Sequence, residues 1–488
     1  MFLGIDLGTS EIKLLLLDAT HRVLASAGEP LTVAQPQPLW SEQHPHDWWA
    51  ALDTAMLRLR AQAGAALGAV QAIGLSGQMH GAVLLDAAGD VLRPAILWND
   101  GRSGAQCAAL EAAVPQLHAI AGNLAMPGFT APKLLWLREH ERAVFDRTAT
   151  VLLPKDWLRW CLSGERITDC SDASGTLWFD VRARRWSPEL LAACGLSEAQ
   201  MPTLVEGSAA AGRLRAEWAQ RWSLREDVVI AGGGGDNAAS AVGIGAARAG
   251  QGFVSLGTSG VIFVVANSFM PNPRSAVHAF CHALPVRWHQ MSVMLSAASA
   301  LRWATRLAGA ADEAALVAQA QALTPLQRAR APLFLPYLSG ERTPHNDPRA
   351  TGALIGLTHA HGSAELAHAV LEGVGFGLLD GWHALDHRLR EQVSELVLVG
   401  GGARSAHWVR LLAALLDRPL LQVEGGDIGA ALGAARLAWL AAGGTEGDVC
   451  RPLALRQRFE PDPRWRAAML PRHERFRALY GRLREEAP

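Results

Sequence analysis

The chain has 488 residues, too many for a single hydrophobic core, so we expect about two to four domains. Half of the residues are hydrophobic and 19% are charged, a composition typical of a folded globular protein. The formal net charge of −1 argues against proteins that bind nucleic acid or lie on a charged membrane surface.

The six cysteines are scattered without the CxxC spacing of zinc sites, and no apolar run reaches the ~18 residues that span a bilayer. The first 30 residues also lack the basic start, apolar stretch and cleavage site of a secretory signal. We therefore expect a cytoplasmic protein with reduced thiols, and neither nucleic acid nor a membrane as a partner.

Both halves of the chain show the same order of predicted elements. The first half has a three-strand meander over 2–28 with a turn at 19–22, a helix at 45–63, a strand at 69–77 and a hairpin at 82–98. The second half has a hairpin at 252–266, helices near 296–307 and 363–379, a strand at 395–402 and a helix at 406–416. This order predicts two mixed α/β domains related by duplication. We place the hinge in the Gly- and Ala-rich run 232–250, between an N-terminal lobe of residues 1–245 and a C-terminal lobe of residues 246–488.

The tetrapeptide Leu-Gly-Thr-Ser occurs twice, at 7–10 and at 256–259, each time between two apolar runs. This pattern predicts a β-hairpin with a tight turn. Glycine lets the backbone approach a ligand, and successive N–H groups beside hydroxyls form an anion site. Two such turns suggest two lobes that hold one polyphosphate from opposite sides; the alternative is two unrelated hairpins with common turn chemistry.

Only three of the 45 basic residues are lysines: Lys13, Lys133 and Lys155. Lys13 follows the first turn, where a compact charge suits a tight phosphate site better than a guanidinium; a solvated strand end is the alternative. Glu11 would repel phosphate, and the period-two alternation of a strand predicts that it points away if Ser10 faces the ligand.

Several long sequence blocks are similar to one family. They are residues 39–49, 96–102, 128–140, 335–348 and 352–372. On these blocks the chain resembles the FGGY family of carbohydrate kinases over nearly its whole length. The resemblance implies the actin-like ATPase (ribonuclease H-like) fold, in which two α/β domains repeat a mixed sheet flanked by helices. It also implies ATP and Mg²⁺ as cofactors and ATP-dependent phosphorylation of a sugar, with the closest likeness to members that convert D-xylulose to D-xylulose 5-phosphate in xylose catabolism.

Phosphoryl transfer needs a cradle for the phosphates, a metal ion and a group that orients the attacking hydroxyl. The expected ATP-binding residues are those of the two turns and of the Gly-rich turn after the strand at 396–399, where adenosine can lie against bare backbone. They are Gly8, Thr9, Ser10, Lys13, Gly257, Thr258, Ser259, Gly400, Gly401, Gly402 and Ser405. The resemblance places Asp6 near Mg²⁺, and its alternative is an Asp that caps the turn.

Asp236 is the expected catalytic residue, since it ends the run Gly-Gly-Gly-Gly-Asp before a helix of small residues. A helix N-terminus predicts a lowered pKa for this carboxyl group, and a weak base suffices when the attacking oxygen mainly needs orientation. From the residues alone, it is equally open that Asp236 only caps the helix. The family likeness favours the catalytic role.

The expected sugar-binding residues are Gln78, Met79, His80, Asp236 and Asn237. The first three end a predicted strand, and strand ends of open α/β sheets bind ligands. A packed core Met-His pair is the alternative. Family members that bind a ketose have Met and His at the matching positions, whereas glycerol kinases have Arg and Glu.

Two rival functions stay open at this point. One is a kinase for another sugar or polyol, such as ribulose, gluconate or glycerol. The other is a non-catalytic actin-like module, a chaperone-type ATPase or a sugar sensor, although the chain opens on a strand without a helix-turn-helix segment. The expected partners are the sugar and ATP, and a homodimer is the assembly considered.

Overall fold

The computed structural model describes residues 1–486, without the side chains of residues 427, 485 and 486; residues 487 and 488, at the end of the predicted C-terminal lobe, lie outside the described residues. Strands of the first half are β1 (Phe2–Leu7), β2 (Glu11–Leu17), β3 (Val23–Pro30), β4 (Glu42–Gln43), β5 (Ala72–Gly77), β6 (Val83–Leu85), β7 (Ala95–Ile96), β8 (Thr150–Leu152), β9 (Ile167–Asp169), β10 (Phe179–Asp180), β11 (Arg185–Trp186), β12 (Thr203–Val205), β13 (Ala210–Arg213), β14 (Val229–Ala231) and β15 (Gly234–Gly235). Helices of the first half are α1 (Pro45–Ala63), α2 (Gly104–Ala113), α3 (Leu117–Ala121), α4 (Thr130–His140), α5 (Arg142–Arg147), α6 (Pro154–Ser163), α7 (Cys170–Ala173), α8 (Pro188–Ala193), α9 (Ala216–Trp222) and α10 (Asp236–Ile244).

The second half repeats the alternation of strands and helices. Its strands are β16 (Gly252–Leu256), β17 (Gly260–Ala266), β18 (His278–Cys281), β19 (Trp288–Met294), β20 (Leu333–Leu335), β21 (Ala353–Ile355), β22 (Leu396–Val399), β23 (Leu420–Val423) and β24 (Leu455–Phe459). Its helices are α11 (Ala298–Leu307), α12 (Glu313–Ala322), α13 (Pro325–Arg330), α14 (Ser363–Ala384), α15 (His387–Gln392), α16 (Ala406–Leu416), α17 (Gly429–Ala441), α18 (Glu446–Val449) and α19 (Pro463–Glu486). Among the described residues no helix is both long and apolar enough to cross a membrane.

Two large mixed sheets share one topology. The N-terminal sheet has the order β13-β14-β5-β1-β2-β3, with β15 also paired to β5, and the C-terminal sheet has the order β18-β19-β17-β16-β22-β23-β24. In each sheet an antiparallel hairpin (β1-β2 or β16-β17) extends on one side to another antiparallel strand. On the other side its first strand pairs in parallel with one further strand, which in turn pairs in parallel with the next (β1-β5-β14 or β16-β22-β23). The predicted duplication of a mixed sheet is therefore confirmed.

Helix α1 begins and ends at the predicted residues. Pro45 occupies its first turn, where the missing N–H group costs nothing, and Gly64 follows its last residue with φ of 55°. The predicted hairpin at 82–98 forms only in part. Its tight turn exists and its arms are bridged at Ala82–Ile96 and Leu85–Val91, but the ladders of β6 and β7 run to β8 and β4.

Helices α10 and α17 cross between the two sheets at very short range. A Cβ atom at Gly433 would overlap the carbonyl oxygen of Ala239, and one at Gly243 would overlap that of Gly429. Helix α17 also packs on β1 and β5 of the N-terminal sheet. Small residues therefore set the separation of the elements that connect the two halves.

We expect Gly433→Ala to lower the free energy of unfolding by about 1–3 kcal/mol, because the new methyl group forces the two helices apart. Denaturant unfolding of the purified variant measures the change. Gly447→Ala is the matched control, since no atom lies within 4 Å of a Cβ at Gly447. Equal stability of the two variants would contradict the close crossing.

Candidate active site

The ends of three neighbouring strands bring the predicted site residues together. In the parallel pairs of the N-terminal sheet, Leu7 of β1 and Gly235 of β15 both lie opposite Gly77 of β5. The residues that follow these three positions therefore leave the sheet at the same edge. They are the first Leu-Gly-Thr-Ser turn, the segment that begins at Gln78, and Asp236.

Asp236 opens helix α10 and keeps one carboxylate oxygen free. Its Oδ1 accepts hydrogen bonds from the backbone N–H of Asn237 (2.7 Å) and from Nδ2 of the same residue (2.8 Å). Within residues 1–486 the other carboxylate oxygen accepts no hydrogen bond. Burial raises the pKa of Asp236, although the bonds from Asn237 lower it. The lowered pKa predicted from the helix N-terminus is therefore wrong, because desolvation outweighs the helix end.

His80 lies on the segment that follows β5, the strand that pairs with β15, and is held in one tautomer. Its Nδ1 lies 2.8 Å from the carbonyl oxygen of Gly175, and burial lowers the pKa of His80 to about 3. Because a carbonyl oxygen only accepts, Nδ1 of the neutral ring carries the proton and Nε2 stays an acceptor. The backbone of His80 has φ of 69°, an uncommon conformation for a non-glycine residue that is found at functional sites.

Met79 and Lys133 fix the position of this segment. The Sδ atom of Met79 would lie 2.7 Å from a Cβ at Gly235, so only glycine lets the side chain pack directly before Asp236. The Nζ of Lys133 donates to the carbonyl oxygens of His80 (2.8 Å) and Gly128 (2.7 Å). Met79 thus packs directly before the carboxylate, and Lys133 holds the backbone of His80.

Gln78 contacts the first turn. Its Oε1 accepts from the hydroxyl of Thr9 (3.0 Å), and its Nε2 donates to Oε1 of Gln43 (2.9 Å). The Thr9 hydroxyl also accepts from the indole N–H of Trp98 (2.9 Å), and Nε2 of Gln43 donates to the Thr9 carbonyl oxygen (2.7 Å). The Thr9 and Gln78 side chains are therefore hydrogen-bonded to one another, which leaves the exposed Ser10 side chain and backbone N–H groups of this turn to meet a phosphate. Neither Gln43 nor Trp98 is among the predicted site residues, because a Trp is as typical of a core as of a sugar pocket and Gln43 carries no signal for this contact in the sequence.

Asp6 faces a cavity of about 330 Å³ between the two sheets. The cavity is lined by residues of both halves: Asp6, Lys13, Ser240, Ser255, Val399, Gly400, Gly401, Gly426, Ile428, Gly429, Ala430 and Ala431. Burial, and then repulsion from Asp236, raise the pKa of Asp6 to about 6. Its Oδ1 is buried and has no hydrogen-bond partner among the described residues. An anionic oxygen without a partner fits a cation in this cavity.

The second turn and the Gly-rich turn meet at the end of β16. The carbonyl oxygen of Gly257 accepts from the N–H of Ala298, and that of Thr258 accepts from the N–H of Ala297 and the hydroxyl of Ser299 (2.7 Å). Gly400 has φ of 89°, and a Cβ there would lie 2.8 Å from the carbonyl oxygen of Leu256. The start of helix α11 thus anchors the second turn beside the glycines.

A larger cavity of about 580 Å³ lies on the other side of the Gly-rich turn. Gly401 lines both cavities, while Gly402 and Ser405 line the larger one together with residues of α11 and α12. The Ser405 hydroxyl accepts from the N–H of Trp408 (3.2 Å), so it caps helix α16 while it lines the cavity. The two cavities thus adjoin at Gly401, and the larger one has room for a nucleoside.

Comparison with known proteins identifies the family. The model of the FGGY family of carbohydrate kinases matches with its N-terminal domain over residues 1–243 and with its C-terminal domain over residues 252–442. The chain belongs to this family. The kinase is 53% identical to the xylulose kinase of Escherichia coli strain K12, over 99% of each chain.

Solved structures confirm the fold of the kinase. The crystal structure of a "xyloylose kinase" from Brucella ovis matches with a TM-score of 0.94 and 49% identity, and the xylulose kinase from Rhodospirillum rubrum matches with a TM-score of 0.90 and 30% identity; each match covers 99% of both chains. The predicted two-domain actin-like ATPase fold is therefore confirmed. As a carbohydrate kinase of this family, the enzyme uses ATP to phosphorylate a sugar.

Glu11 of the kinase does not point away from Lys13. The two residues lie two positions apart on β2 and share a face, and the Lys13 Nζ lies 3.4 Å from Oε2 of Glu11. The turning of Glu11 away from the ligand stays a prediction, because the structure shows Glu11 beside Lys13, and of the two only Lys13 lines the Asp6 cavity. Both side chains are about half exposed, so the pair is weak.

We expect Glu11→Gln to lower KM for ATP about 1.4- to 5-fold at low salt, since the loss of an exposed pair is worth ~0.2–1 kcal/mol. Lys13 would then meet the phosphates without a competing carboxylate. Steady-state kinetics at two salt concentrations measures the effect. Glu29→Gln makes the same charge change on the opposite face of the neighbouring strand and serves as the control. A raised KM for ATP in Glu11→Gln would contradict this role.

Proposed function

We propose that the kinase transfers the γ-phosphate of ATP to the terminal hydroxyl of D-xylulose and forms D-xylulose 5-phosphate, as a step of xylose catabolism. The observation that carries the proposal is the meeting of Met79, His80 and Asp236 at adjoining strand ends beside the Asp6 cavity. The identity to xylulose kinases over nearly the whole chain supports the choice of sugar.

In this proposal Asp236 accepts a hydrogen bond from the attacking hydroxyl through its free carboxylate oxygen. The bonds from Asn237 hold the other oxygen, so the carboxylate points in one direction before the sugar arrives. A pKa raised by burial makes Asp236 a better acceptor than an exposed carboxylate. The reaction requires orientation of the hydroxyl more than full deprotonation.

The sugar would lie between His80 and Asn237. Nε2 of His80 accepts a hydrogen bond from one hydroxyl, and the Asn237 side chain is placed to contact another. Met79 offers an apolar surface to the sugar carbons. A site of this kind, with a fixed acceptor, rejects a substrate that lacks the matching hydroxyl.

The triphosphate would lie in the 330 Å³ cavity, between the turn at 7–10 and the turn at 256–259, with adenosine in the 580 Å³ cavity. Lys13, Gly400 and Gly401 line the phosphate part. Asp6 fits Mg²⁺, because its buried oxygen has no partner and Mg²⁺ keeps most of its water ligands. Among the described residues no group of three acidic, His or Cys side chains could hold a metal by itself, so the proposed ion is the one that ATP brings. When bound, Mg²⁺ neutralises charge on the β- and γ-phosphates.

Release of ADP, measured with D-xylulose, D-ribulose, gluconate and glycerol in parallel, tests the proposal. We expect the highest kcat/KM for D-xylulose and slow ATP hydrolysis without a sugar, since closure of the lobes excludes water from the γ-phosphate. A higher kcat/KM for one of the other three compounds would overturn the assigned substrate. The boundary between residues 245 and 246, the homodimer and the cytoplasmic location stay predictions.

A further inference from the structure

A fully buried group of charged side chains lies under the loop that carries Asp236. We call Lys155, Asp156, Arg159, Asp169 and Asp172 the Lys155 cluster. The Lys155 Nζ lies 2.6 Å from Oδ1 of Asp156, 2.8 Å from Oδ1 of Asp169 and 3.1 Å from Oδ2 of Asp172. Arg159 donates to Oδ1 of Asp156 at 2.7 Å. None of these residues belongs to the proposed sugar or ATP contacts.

The cluster holds the four-glycine loop at two points. Arg159 donates to the carbonyl oxygen of Gly232, at the start of the loop. At the end of the loop, the N–H of Gly235 donates to the hydroxyl of Ser171 (3.1 Å), and that hydroxyl donates to Oδ2 of Asp169. A continuous chain of contacts therefore runs from Lys155 through Asp169 and Ser171 to the residue before Asp236.

The loop cannot be fixed by its own side chains. Cβ atoms at Gly232 and Gly233 would overlap the carbonyl oxygens of Glu206 and Leu75, so the backbone passes where only glycine fits. Glycine has the largest conformational freedom of any residue, and four in succession leave the position of Asp236 undetermined by local structure. Contacts from outside the loop therefore supply the restraint, both through the pairing of β15 with β5 and through the bonds to the Lys155 cluster and Ser171.

The charges of the cluster are costly to bury. Burial raises the pKa of Asp172 well above its ordinary value, while Lys155 lowers it. Even a balanced buried pair is often no more stabilising than hydrophobic residues of the same volume. Packing alone therefore does not explain why these charges are buried here. Their directional hydrogen bonds to the four-glycine loop do explain it.

We propose that the Lys155 cluster is a positioning device, in which Lys155 and Asp169 act through Ser171 to fix Gly235 and so aim the Asp236 carboxylate at the sugar. The inference rests on the proposed catalytic role of Asp236. Ser171, Asp169 and Lys155 are positioning residues, since none of them contacts the reacting atoms.

The test is Ser171→Ala, which removes one hydroxyl and keeps the charges of the cluster. Ser174→Ala is the matched control, because the Ser174 hydroxyl is equally buried but bonds the Cys170 carbonyl oxygen (2.7 Å) and the Cys281 N–H (3.0 Å), not the loop. We expect kcat to fall ~10–100-fold in Ser171→Ala with an unchanged KM for ATP, because small errors of alignment reduce turnover that strongly. Thermal unfolding of both variants checks that they are equally stable.

A double-mutant cycle distinguishes a loss of turnover caused by a misplaced Asp236 carboxylate from a general loss of activity. In an Asp236→Asn background, Ser171→Ala should cause no further loss of turnover, because the group that it aims is already removed. A further loss by the same factor, or a Ser171→Ala enzyme as active as Ser174→Ala, would overturn the positioning role. If Asp236→Asn alone keeps near-normal turnover, the proposed catalytic role of Asp236 fails instead, and the two failures are thereby distinguished.

Discussion

Asp236→Asn should lower kcat about 10²–10⁴-fold while KM for ATP stays nearly the same. The amide keeps the shape of the side chain at the start of α10 but cannot accept the proton of the attacking hydroxyl. The ATP cavities are lined by other residues, so nucleotide binding has no reason to change. Steady-state kinetics with saturating sugar measures the effect.

The pH dependence of this variant gives a second readout of the same prediction. The carboxylate accepts a hydrogen bond only when ionised, and burial raises its pKa, so kcat of the unmodified enzyme should fall as the pH falls through that raised value. This acid limb should be missing from the residual rate of Asp236→Asn. Asp227→Asn, at an exposed carboxylate paired with Arg225, is the control and should keep both rate and profile. Near-normal turnover of Asp236→Asn would overturn the assignment of Asp236 as the catalytic residue.

Asp6→Asn should raise the Mg²⁺ concentration needed for half-maximal rate about 10–100-fold, the usual cost of losing an outer-sphere metal partner. The buried Oδ1 of Asp6 lacks a protein partner, and an amide in its place offers a weaker acceptor. Titration of the rate with Mg²⁺ at saturating ATP measures the change.

The sign of the pH effect follows from the pKa of Asp6, which burial and Asp236 raise to about 6. Below this pH Asp6 takes up a proton, so the enzyme should need more Mg²⁺ at pH 5.5 than at pH 8. Asp6→Asn should lose most of this difference, whereas the Asp227→Asn control should retain it. An unchanged Mg²⁺ requirement in Asp6→Asn would place the ion elsewhere.

Local patterns in the sequence predicted the elements whose partners are near in the chain. The hairpin β1-β2 and the helices α1 and α16 follow from alternation, helical periodicity and end signals within each segment. The hairpin at 82–98 forms only in part because β6 pairs with a strand about 65 residues later, and a turn signal cannot report a distant partner.

For the site, too, the sequence predicted what depends on one short segment and missed the contacts between distant segments. The residues at the strand ends could be predicted because each follows its own strand and resembles a family pattern. The raised pKa of Asp236, the contact of Gln78 with Thr9 and the support of His80 by Lys133 depend on segments far apart in sequence. The scarcity of lysine in the sequence is a signal that applies to all three lysines and not only to Lys13. Lys133 and Lys155 are fully buried beneath the site, while Lys13 is half exposed.

A crystal structure of the enzyme with D-xylulose, Mg²⁺ and a non-hydrolysable ATP analogue tests the central claim most directly. The account predicts the terminal hydroxyl of the sugar within hydrogen-bond distance of the free Asp236 oxygen, with the triphosphate between the turns at 7–10 and 256–259. A sugar bound away from Asp236, or a triphosphate outside the cavity that Asp6 and Lys13 line, would contradict it.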